Sequence, residues 1–328
     1  MNFRKIKRAF EVLGDIRKTT DKVHEISGFG KFRIFWDIID ARLRYGAVEE
    51  DYLVFEFYRK SPKEKNEFNT YYRNYVGFFK AFYDKRAVEV FDHKENFVEV
   101  FKPYLKRDVL HASDKISEDV VVSFIKRYGT VFVKPTDGCE GRGVFKLKGD
   151  DAQAVAKLLN DIKAGNSYMI EQPIVQHPAM AALNPSSVNT VRIETVIDAK
   201  GEVHITNSIA VMGANGSVAN NVHHGGLMCH VEMATGIIDG MARDLKGGVH
   251  FRNPSTNVIL PGYQLPNWEG VEDFVKTLAK VVPSARLIGW DIVILEDGYD
   301  VLEGNVRPGH GSQACDMVGR YRLEKSLI

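Results

Sequence analysis

Hydrophobic residues recur at helical spacing through the first part of the chain. Positions 3–13 carry apolar residues three or four apart, with lysines and arginines between them, and 32–39 repeats the pattern. Aromatic residues extend it through 55–82. The pattern predicts a helical N-terminal domain over 1–88. Its basic first helix either contacts a protein or an anionic membrane surface, or packs on its own chain with a solvated basic face.

From about residue 86 the pattern changes, and it predicts a mixed α/β (α+β) fold. Short apolar runs of strand length alternate with amphipathic helical stretches, and turn residues separate them. The predicted helices are 96–104, 120–128, 151–159 and 271–281. The predicted strands are 131–134, 144–147, 167–170, 190–198, 203–212 and 228–233, followed by a hairpin from 290 to 305.

Composition narrows the class of protein. The 328 residues are 44% hydrophobic and 27% charged, which allows one large or two to three small globular units. A net charge of +1 gives no global basis for nucleic-acid binding. The cysteines Cys139, Cys229 and Cys315 are far apart and odd in number, which favours a reducing, cytoplasmic environment. No signal peptide and no integral membrane segment are expected.

A hairpin near the C-terminus carries three oxygen-bearing side chains. Asp-Gly at 297–298, between two apolar runs, is a strong turn signal. Glu303 and Asn305 lie two residues apart, so both point to one face of an extended strand. With Asp291 on the facing strand, they would offer the hard oxygen ligands that suit Mg²⁺ beside phosphates. The alternative is an ordinary surface hairpin with solvated acids.

The register of this hairpin decides whether the three side chains meet. A two-residue loop at 297–298 places Asp291 opposite Gly304, on the face away from Glu303 and Asn305. An odd-numbered loop or a β-bulge places Asp291 opposite Asn305, and the three then share a face. The hypothesis of a metal site therefore predicts a three-residue loop or a bulge.

A lysine at the end of a strand precedes a glycine-rich loop. After Lys134, the loop from Thr136 to Gly143 holds three glycines before the chain returns to a strand. Glycines let backbone N–H groups approach an anion, and lysine adds a point charge for phosphate. The spacing matches neither a Walker A loop nor a dinucleotide fingerprint. The segment is therefore either a phosphate loop or a flexible hairpin loop.

Three other segments place polar groups in apolar surroundings. An apolar strand runs into Glu171 and Gln172, where the strand either offers its backbone to an adenine or simply ends in solvent. Arg192 lies on an otherwise apolar strand and must pair or serve a site. His223 and His224 are adjacent and diverge on extended backbone, so one is expected near substrate or phosphate and the other in solvent.

The order of these features resembles the ATP-grasp superfamily. Ser-Val-Asn-Thr-Val-Arg at 187–192, Asn-Val-His-His-Gly-Gly at 221–226 and Ile-Gly-Trp-Asp at 288–291 are most similar to its sugar-transfer-associated branch. The resemblance covers roughly residues 90 to 315. It implies an ATP-grasp fold that holds a nucleotide between two α+β subdomains, at 89–172 and 173–328.

The resemblance also implies roles for individual residues. The residues that match its phosphate-binding elements are Lys94, Lys134, Gly138, Glu140, Gly141, Arg142 and Gly143. Those that match its adenine contacts are Glu171, Gln172 and Ile174, and Gln176 or His177 is expected near the ribose. Those that match its ligands for Mg²⁺, expected as two ions, are Asp291, Glu303 and Asn305. The implied catalytic groups are Arg192, Arg307, His223 and His224.

One position departs from the family pattern. Many ATP-grasp ligases, such as D-alanine–D-alanine ligase, carry an arginine two residues before the first metal acid, but here that position is Gly289. Arg192 or Arg307 would have to supply the positive charge in the transition state.

The resemblance implies an ATP-dependent carboxylate–amine ligase that forms an amide through an acylphosphate. Its expected substrates are a small carboxylate and an amine, such as an amino acid, a peptide or a sugar acid. A kinase acting on a small hydroxylated substrate, and a non-catalytic nucleotide-binding scaffold, are the alternatives. A plain α/β domain whose motifs coincide by chance is the fourth possibility.

Overall fold

The structure is a computed structural model that describes residues 3–82, 84–137, 143–213, 225–244 and 247–328. It contains two compact units. The first comprises Met1–Phe82, Leu245–Gly248 and Gly309–Ile328, and the second comprises Tyr83–Asp244 and Val249–Pro308. The domain boundaries expected after residues 88 and 172 stay a prediction.

The helices and strands expected after residue 86 are present in the expected order, but the strands at 109–112, 242–243 and 249–250 and the helix at 178–183 were not expected. The helices are α1 (Phe3–Ser27), α2 (Lys31–Tyr45), α3 (Glu49–Val54), α4 (Pro62–Lys65), α5 (Phe79–Phe82), α6 (Lys85–Phe91), α7 (Lys94–Phe101), α8 (Glu118–Tyr128), α9 (Ala152–Lys163), α10 (Pro178–Leu183), α11 (Val271–Val281) and α12 (Tyr321–Ser326). The strands are β1 (Val109–Ala112), β2 (Thr130–Pro135), β3 (Phe145–Lys148), β4 (Tyr168–Glu171), β5 (Thr190–Ile197), β6 (Val203–Met212), β7 (Leu227–His230), β8 (Ala242–Arg243), β9 (Val249–His250), β10 (Leu287–Leu295) and β11 (Gly298–Asn305). Short 3₁₀ turns lie at Phe57–Arg59, Lys102–Tyr104, Trp268–Gly270 and His310–Ala314, and a π-helical turn at Arg73–Phe78. Within the described ranges, no helix is both long enough and apolar enough to cross a membrane.

The first unit is helical, and this prediction is confirmed. Helix α2 ends at Gly46, whose φ of +68° directs its N–H to the carbonyl of Ala41. The buried face of α2, which includes Ile34 and Ile38, packs in a core with aromatic rings such as Phe55. The aromatic residues of the N-terminal sequence therefore build a separate hydrophobic core.

The second unit contains two antiparallel sheets. The smaller has the strand order β1-β4-β2-β3, and the larger has the order β11-β10-β5-β6-β7-β8-β9. The glycine-rich segment joins β2 to β3, which pair antiparallel, so it is a hairpin connection as expected. The apolar face of the larger sheet packs against α11 and α7 through residues such as Ile193, Trp290 and Leu278. Its opposite face carries Arg192, Asp291 and Glu303.

The β10–β11 hairpin contains a bulge. Asp291 pairs with Glu303 while Ile292 pairs with Val301, so Leu302 is the extra residue. The prediction of a bulge is confirmed. The expected loop at 297–298 was wrong by one position, because Leu295 pairs with Gly298 and the two loop residues are 296–297. The three-residue loop offered as the alternative is also wrong.

The turn between β5 and β6 is braced by a carboxylate. Oδ1 of Asp198 accepts the backbone N–H groups of Lys200 and Glu202, and Oδ2 lies 2.9 Å from Nε2 of His204. The hydrogen bond with His204, followed by those from the backbone, lowers the pKa of Asp198 to about 2 from an ordinary 3.8. Asp198, Glu202 and His204 are close enough to share a cation, but the turn already uses both carboxylate oxygens of Asp198.

Asp198→Asn is expected to lower stability at neutral pH and to have no effect in strong acid. Because the pKa is depressed in the folded protein, the ionised carboxylate stabilises the fold above about pH 3.8, and this contribution is lost as the pH falls through about 2. Chemical unfolding of wild type and variant over this range measures the gap between the two curves. A gap that stays constant with pH would contradict the prediction, and Glu202→Gln serves as control.

Candidate nucleotide and metal site

A row of charged side chains crosses the polar face of the larger sheet. Arg192 on β5 pairs directly with Asp291 on β10, which pairs with Glu303 on β11. Directly paired residues point to the same face, so the three side chains meet. Nε of Arg192 lies 2.7 Å from Oδ1 of Asp291 and one Nη lies 2.6 Å from Oδ2, which is a bidentate ion pair. The same guanidinium is 4.0 Å from Glu303.

The partner of Asp291 differs from the one expected. The sequence placed Asp291 opposite Asn305, but the bulge places it opposite Glu303, and Asn305 lies opposite Gly289. Asn305 still points to the same face, since its side-chain amide donates to Oε1 of Glu303 at 3.3 Å. Asp291, Glu303 and Asn305 therefore converge as the hypothesis requires.

Gly289 leaves little room for a side chain. A Cβ at this position would lie 3.0 Å from Cβ of Pro308, so an arginine two residues before Asp291 would require Pro308 to shift by a few tenths of an ångström. Arg192 reaches the same carboxylate from the neighbouring strand. The departure from the family pattern thus has a structural counterpart, with the cation placed on β5 instead of β10.

The charge of Asp291 acts on both Glu303 and Arg192. Desolvation within the cluster and the negative charge of Asp291 raise the pKa of Glu303, although 55% of its side chain is exposed. The Asp291 carboxylate raises the pKa of Arg192, so this guanidinium stays charged. One cation thus faces two acids, and the cluster retains an excess of negative charge that favours a further cation.

A second set of charges forms a chain of buried ion pairs. Nζ of Lys134 lies 2.7 Å from Oε2 of Glu171, and Nε of Arg107 lies 3.2 Å from the same oxygen. Arg107 also binds Asp300, which lies on β11, and donates to the carbonyl of Val301 at 3.1 Å. Two cations alternate with two anions, so the chain is neutral overall. It connects β2 and β4 of the smaller sheet to β11 of the larger one.

Burial and charge act in opposite directions on the two acids of this chain. Burial alone would raise the pKa of Glu171, but Lys134 and Arg107 outweigh it and hold the pKa below its ordinary value. Burial dominates at Asp300 and raises its pKa, despite the contact with Arg107. Oδ2 of Asp300 is buried without a hydrogen-bond partner in the described part of the chain. Arg107 is thus the group that keeps both acids compatible with the interior.

Lys94 lies beside the start of the glycine-rich loop. Its ammonium donates to the carbonyls of Pro135 at 2.9 Å and Thr136 at 3.1 Å. It therefore approaches the loop from α7, while Lys134 lies on β2 just before the loop. Gly143, at the far end, has a φ of +75°. Gly138, Glu140, Gly141 and Arg142 lie outside the described residues.

The residues expected at the adenine and ribose follow β4. The backbone N–H of Gln172 donates to the carbonyl of Asp108, and its side-chain oxygen accepts from the Asp108 N–H. Ile174 is half-buried. Nδ1 of His177 caps α10 by accepting from the N–H of Ala179 at 3.0 Å. The carboxylate of Glu171 is engaged by the buried cations, so its role at the adenine stays a prediction.

The remaining catalytic candidates lie apart from the row of acids or outside the description. Arg307 is exposed and pairs with Asp92 at 2.7 Å. His223 and His224 lie outside the described residues, as does Cys139. Of the two arginines considered for the transition-state charge, Arg192 is the one that contacts the candidate metal ligands.

Sequence reasoning missed Arg107 and Asp300. Arg107 lies 64 residues from Glu171 and 193 from Asp300, so no local motif joins them. One signal was present, because Asp300 interrupts an apolar strand and an inward-facing acid requires a partner.

The cluster on the larger sheet fits a magnesium ion. Two carboxylates and one amide oxygen are hard ligands, and Mg²⁺ is usually held by one or two carboxylates together with substrate phosphates. Lys94 on α7 and Lys134 on β2 of the smaller sheet supply positive charge near the glycine-rich loop. The candidate metal ligands and these two lysines thus belong to the same unit.

Two antiparallel sheets that carry these groups form an ATP-grasp fold. The chain matches the family model described as sugar-transfer associated ATP-grasp over residues 73–327, and it belongs to this family. No curated protein sequence matches it.

The chain is similar to several solved structures at low sequence identity. The ATP-grasp ligase PsnB, in complex with a phosphomimetic variant of its minimal precursor, Mg and ADP, is 16% identical, with a TM-score of 0.46 over 74% of this chain and 59% of that one. The D-alanyl-alanine synthetase A of Vibrio cholerae O1 biovar eltor str. N16961 is 15% identical, with a TM-score of 0.44 over 73% and 61%. D-cycloserine synthetase DcsG is 13% identical, with a TM-score of 0.45 over 77% and 78%. The chain thus spans about three fifths of the first two structures.

Proposed function

We propose that this protein is an ATP-dependent carboxylate–amine ligase. The observation that carries the proposal is the convergence of Asp291, Glu303 and Asn305 beside Arg192, in a chain of the ATP-grasp family. An ordinary surface hairpin has no need to place two acids and an amide around a bidentate arginine. The presence of Asp291 and Glu303 as candidate metal ligands also favours catalysis over a scaffold role.

In the proposed reaction, a carboxylate oxygen of one substrate attacks the γ-phosphorus of ATP, and the bond to the leaving ADP oxygen breaks. The product is an acylphosphate. The nitrogen of the second substrate then attacks the acyl carbon, the bond to the phosphate oxygen breaks, and the nitrogen loses a proton. An amide, ADP and phosphate result. No covalent nucleophile of the protein is required.

The residues of the chain position the reactants and balance their charge. Lys94 and Lys134 hold phosphate oxygens, in agreement with their location around the glycine-rich loop. Arg192 stabilises the charge that develops on the transferred phosphoryl group, since its guanidinium lies among the metal ligands. His223 or His224 contacts the carboxylate or the acylphosphate.

Asp291, Glu303 and Asn305 would hold the magnesium, which we propose as two ions. The ions would neutralise phosphate charge. The ion pair between Arg192 and Asp291 supports the view that the cluster is built around positive charge. The proposed substrates are a small carboxylate and an amine, such as an amino acid, a peptide or a sugar acid.

Release of ADP, measured with a panel of carboxylates and amines, tests the proposal. We expect turnover that needs Mg²⁺, one carboxylate and one amine together, with one amide formed for each ADP. Product analysis by mass spectrometry checks the bond that forms. ADP release that needs a hydroxylated substrate and no amine would replace the ligase by a kinase. Failure to bind ADP at all would favour neither enzyme.

A further inference from the structure

Helix α2 is apolar on two opposite faces. Ile34, Ile38, Ala41 and Tyr45 are buried in the core of the first unit. On the other side, Phe32 and Leu43 are each 80% exposed and Trp36 is 53% exposed. At about 100° per residue these three lie within about 40° of one another, on the side away from the core. The rings of Phe32 and Trp36 are in contact, at 6.3 Å between centroids.

Basic residues border this exposed stripe on both sides. On the helix surface Lys31 and Arg42 flank one edge, and Arg33 and Arg44 flank the other, each about 100° from the centre of the stripe. Arg42 is 24% exposed and pairs with Glu49. Lys31 pairs with Asp21 and Arg44 with Asp40, and both basic side chains remain largely exposed. Exposed ion pairs of this kind are weak, so the basic side chain can bind another anion in place of its carboxylate partner.

The first unit as a whole is also positively charged. The first unit contains 21 Lys and Arg against 14 Asp and Glu, whereas the second contains 23 against 29. The unit that carries the stripe thus has a net charge of +7, and the other unit has a net charge of −6. These opposite charges nearly cancel in the net charge of +1 for the chain.

We propose that the stripe of Phe32, Trp36 and Leu43 docks on an anionic lipid bilayer. Aromatic and aliphatic side chains enter the boundary between headgroups and acyl chains, while lysine and arginine at the flanks reach the phosphates. A zwitterionic surface would satisfy the apolar residues but not the charge. The inference does not depend on the proposed ligase activity.

Tryptophan fluorescence of the full chain gives a direct test. Trp268 and Trp290 are buried, so Trp36 is the tryptophan exposed to solvent. We expect vesicles of phosphatidylcholine and phosphatidylglycerol to shift its emission to the blue and to sediment the protein. Vesicles of phosphatidylcholine alone should do neither, and salt should reverse the binding. Trp36→Phe should lose the spectral shift and still sediment.

Matched variants separate docking from a change in folding. Phe32→Ser with Leu43→Ser is expected to weaken vesicle binding by about tenfold or more. Val175→Ser, which removes an 81% exposed apolar residue of the second unit, should bind as wild type does. Circular dichroism checks that all variants are folded. Equal binding to both vesicle types, or none, would overturn the proposal. A dimer in free solution that the Phe32 and Leu43 changes dissolve, without vesicle binding, would instead assign the stripe to a second copy.

Discussion

Glu303→Gln is expected to reduce ATP-dependent turnover by about 100-fold or more and to leave the fold intact. The substitution keeps the size of the side chain and its planar end group but removes a negative charge from the proposed magnesium site. Its structural cost is small, since Glu303 is half-exposed and its side chain contacts Asn305, Asp291 and, at 4.0 Å, Arg192. Loss of its charge also relieves repulsion with Asp291, which offsets the loss of the attraction to Arg192.

The measurement combines catalysis with thermal unfolding. Without ligands, wild type and Glu303→Gln should unfold at similar temperatures. Addition of ADP and Mg²⁺ should stabilise the wild type more than the variant, because a ligand stabilises only the state that binds it. Glu296→Gln, an exposed acid in the loop of the same hairpin, is the matched control and should retain full turnover. A Glu303→Gln enzyme with unchanged rate and unchanged need for Mg²⁺ would rule out the metal role.

The spacing of apolar residues was sufficient to predict most helices and strands of the second unit. The strands at 190–198 and 203–212 and the helix at 271–281 are present almost as expected, because long periodic segments carry a strong signal. Arg192 was expected to pair or serve a site because it interrupts an apolar strand, and it pairs with Asp291. Local pattern therefore identified both the strand and its unusual residue.

The spacing of apolar residues did not predict the register of the β10–β11 hairpin. The Asp-Gly signal placed the hairpin loop one residue too late, and the bulge at Leu302 has no local marker of its own. Contacts from other elements fix this region, because Gly304 packs so closely on Phe91 that a Cβ would lie 2.6 Å from the ring. The prediction of a bulge came instead from the chemistry, since only a shifted register brings the three ligands together.

Arg107→Met is expected to destabilise the second unit and to weaken nucleotide binding. Arg107 is 2% exposed and contacts both Glu171 and Asp300, so its removal leaves buried acid without its partner. Breaking a buried pair from one side costs about 3–5 kcal/mol. Glu171 would lose Arg107 and keep Lys134 as its cationic partner. Lys134 is the proposed phosphate contact, so its position would change. We expect ADP binding about tenfold weaker, or about 1.4 kcal/mol, comparable to one charge-assisted hydrogen bond.

A double variant distinguishes stability from positioning. Arg107→Met with Asp300→Leu removes one cation and one anion, leaving the neutral pair of Lys134 and Glu171, and replacing a buried pair by apolar groups is often tolerated. The free energy of unfolding should recover in large part, whereas ADP affinity should stay low, because Arg107 no longer orients Glu171. Arg320→Met, which breaks a similarly buried pair with Asp316 in the first unit, should lower stability without changing ADP affinity. Affinity that recovers together with stability in the double variant would mean that the buried chain serves the fold alone.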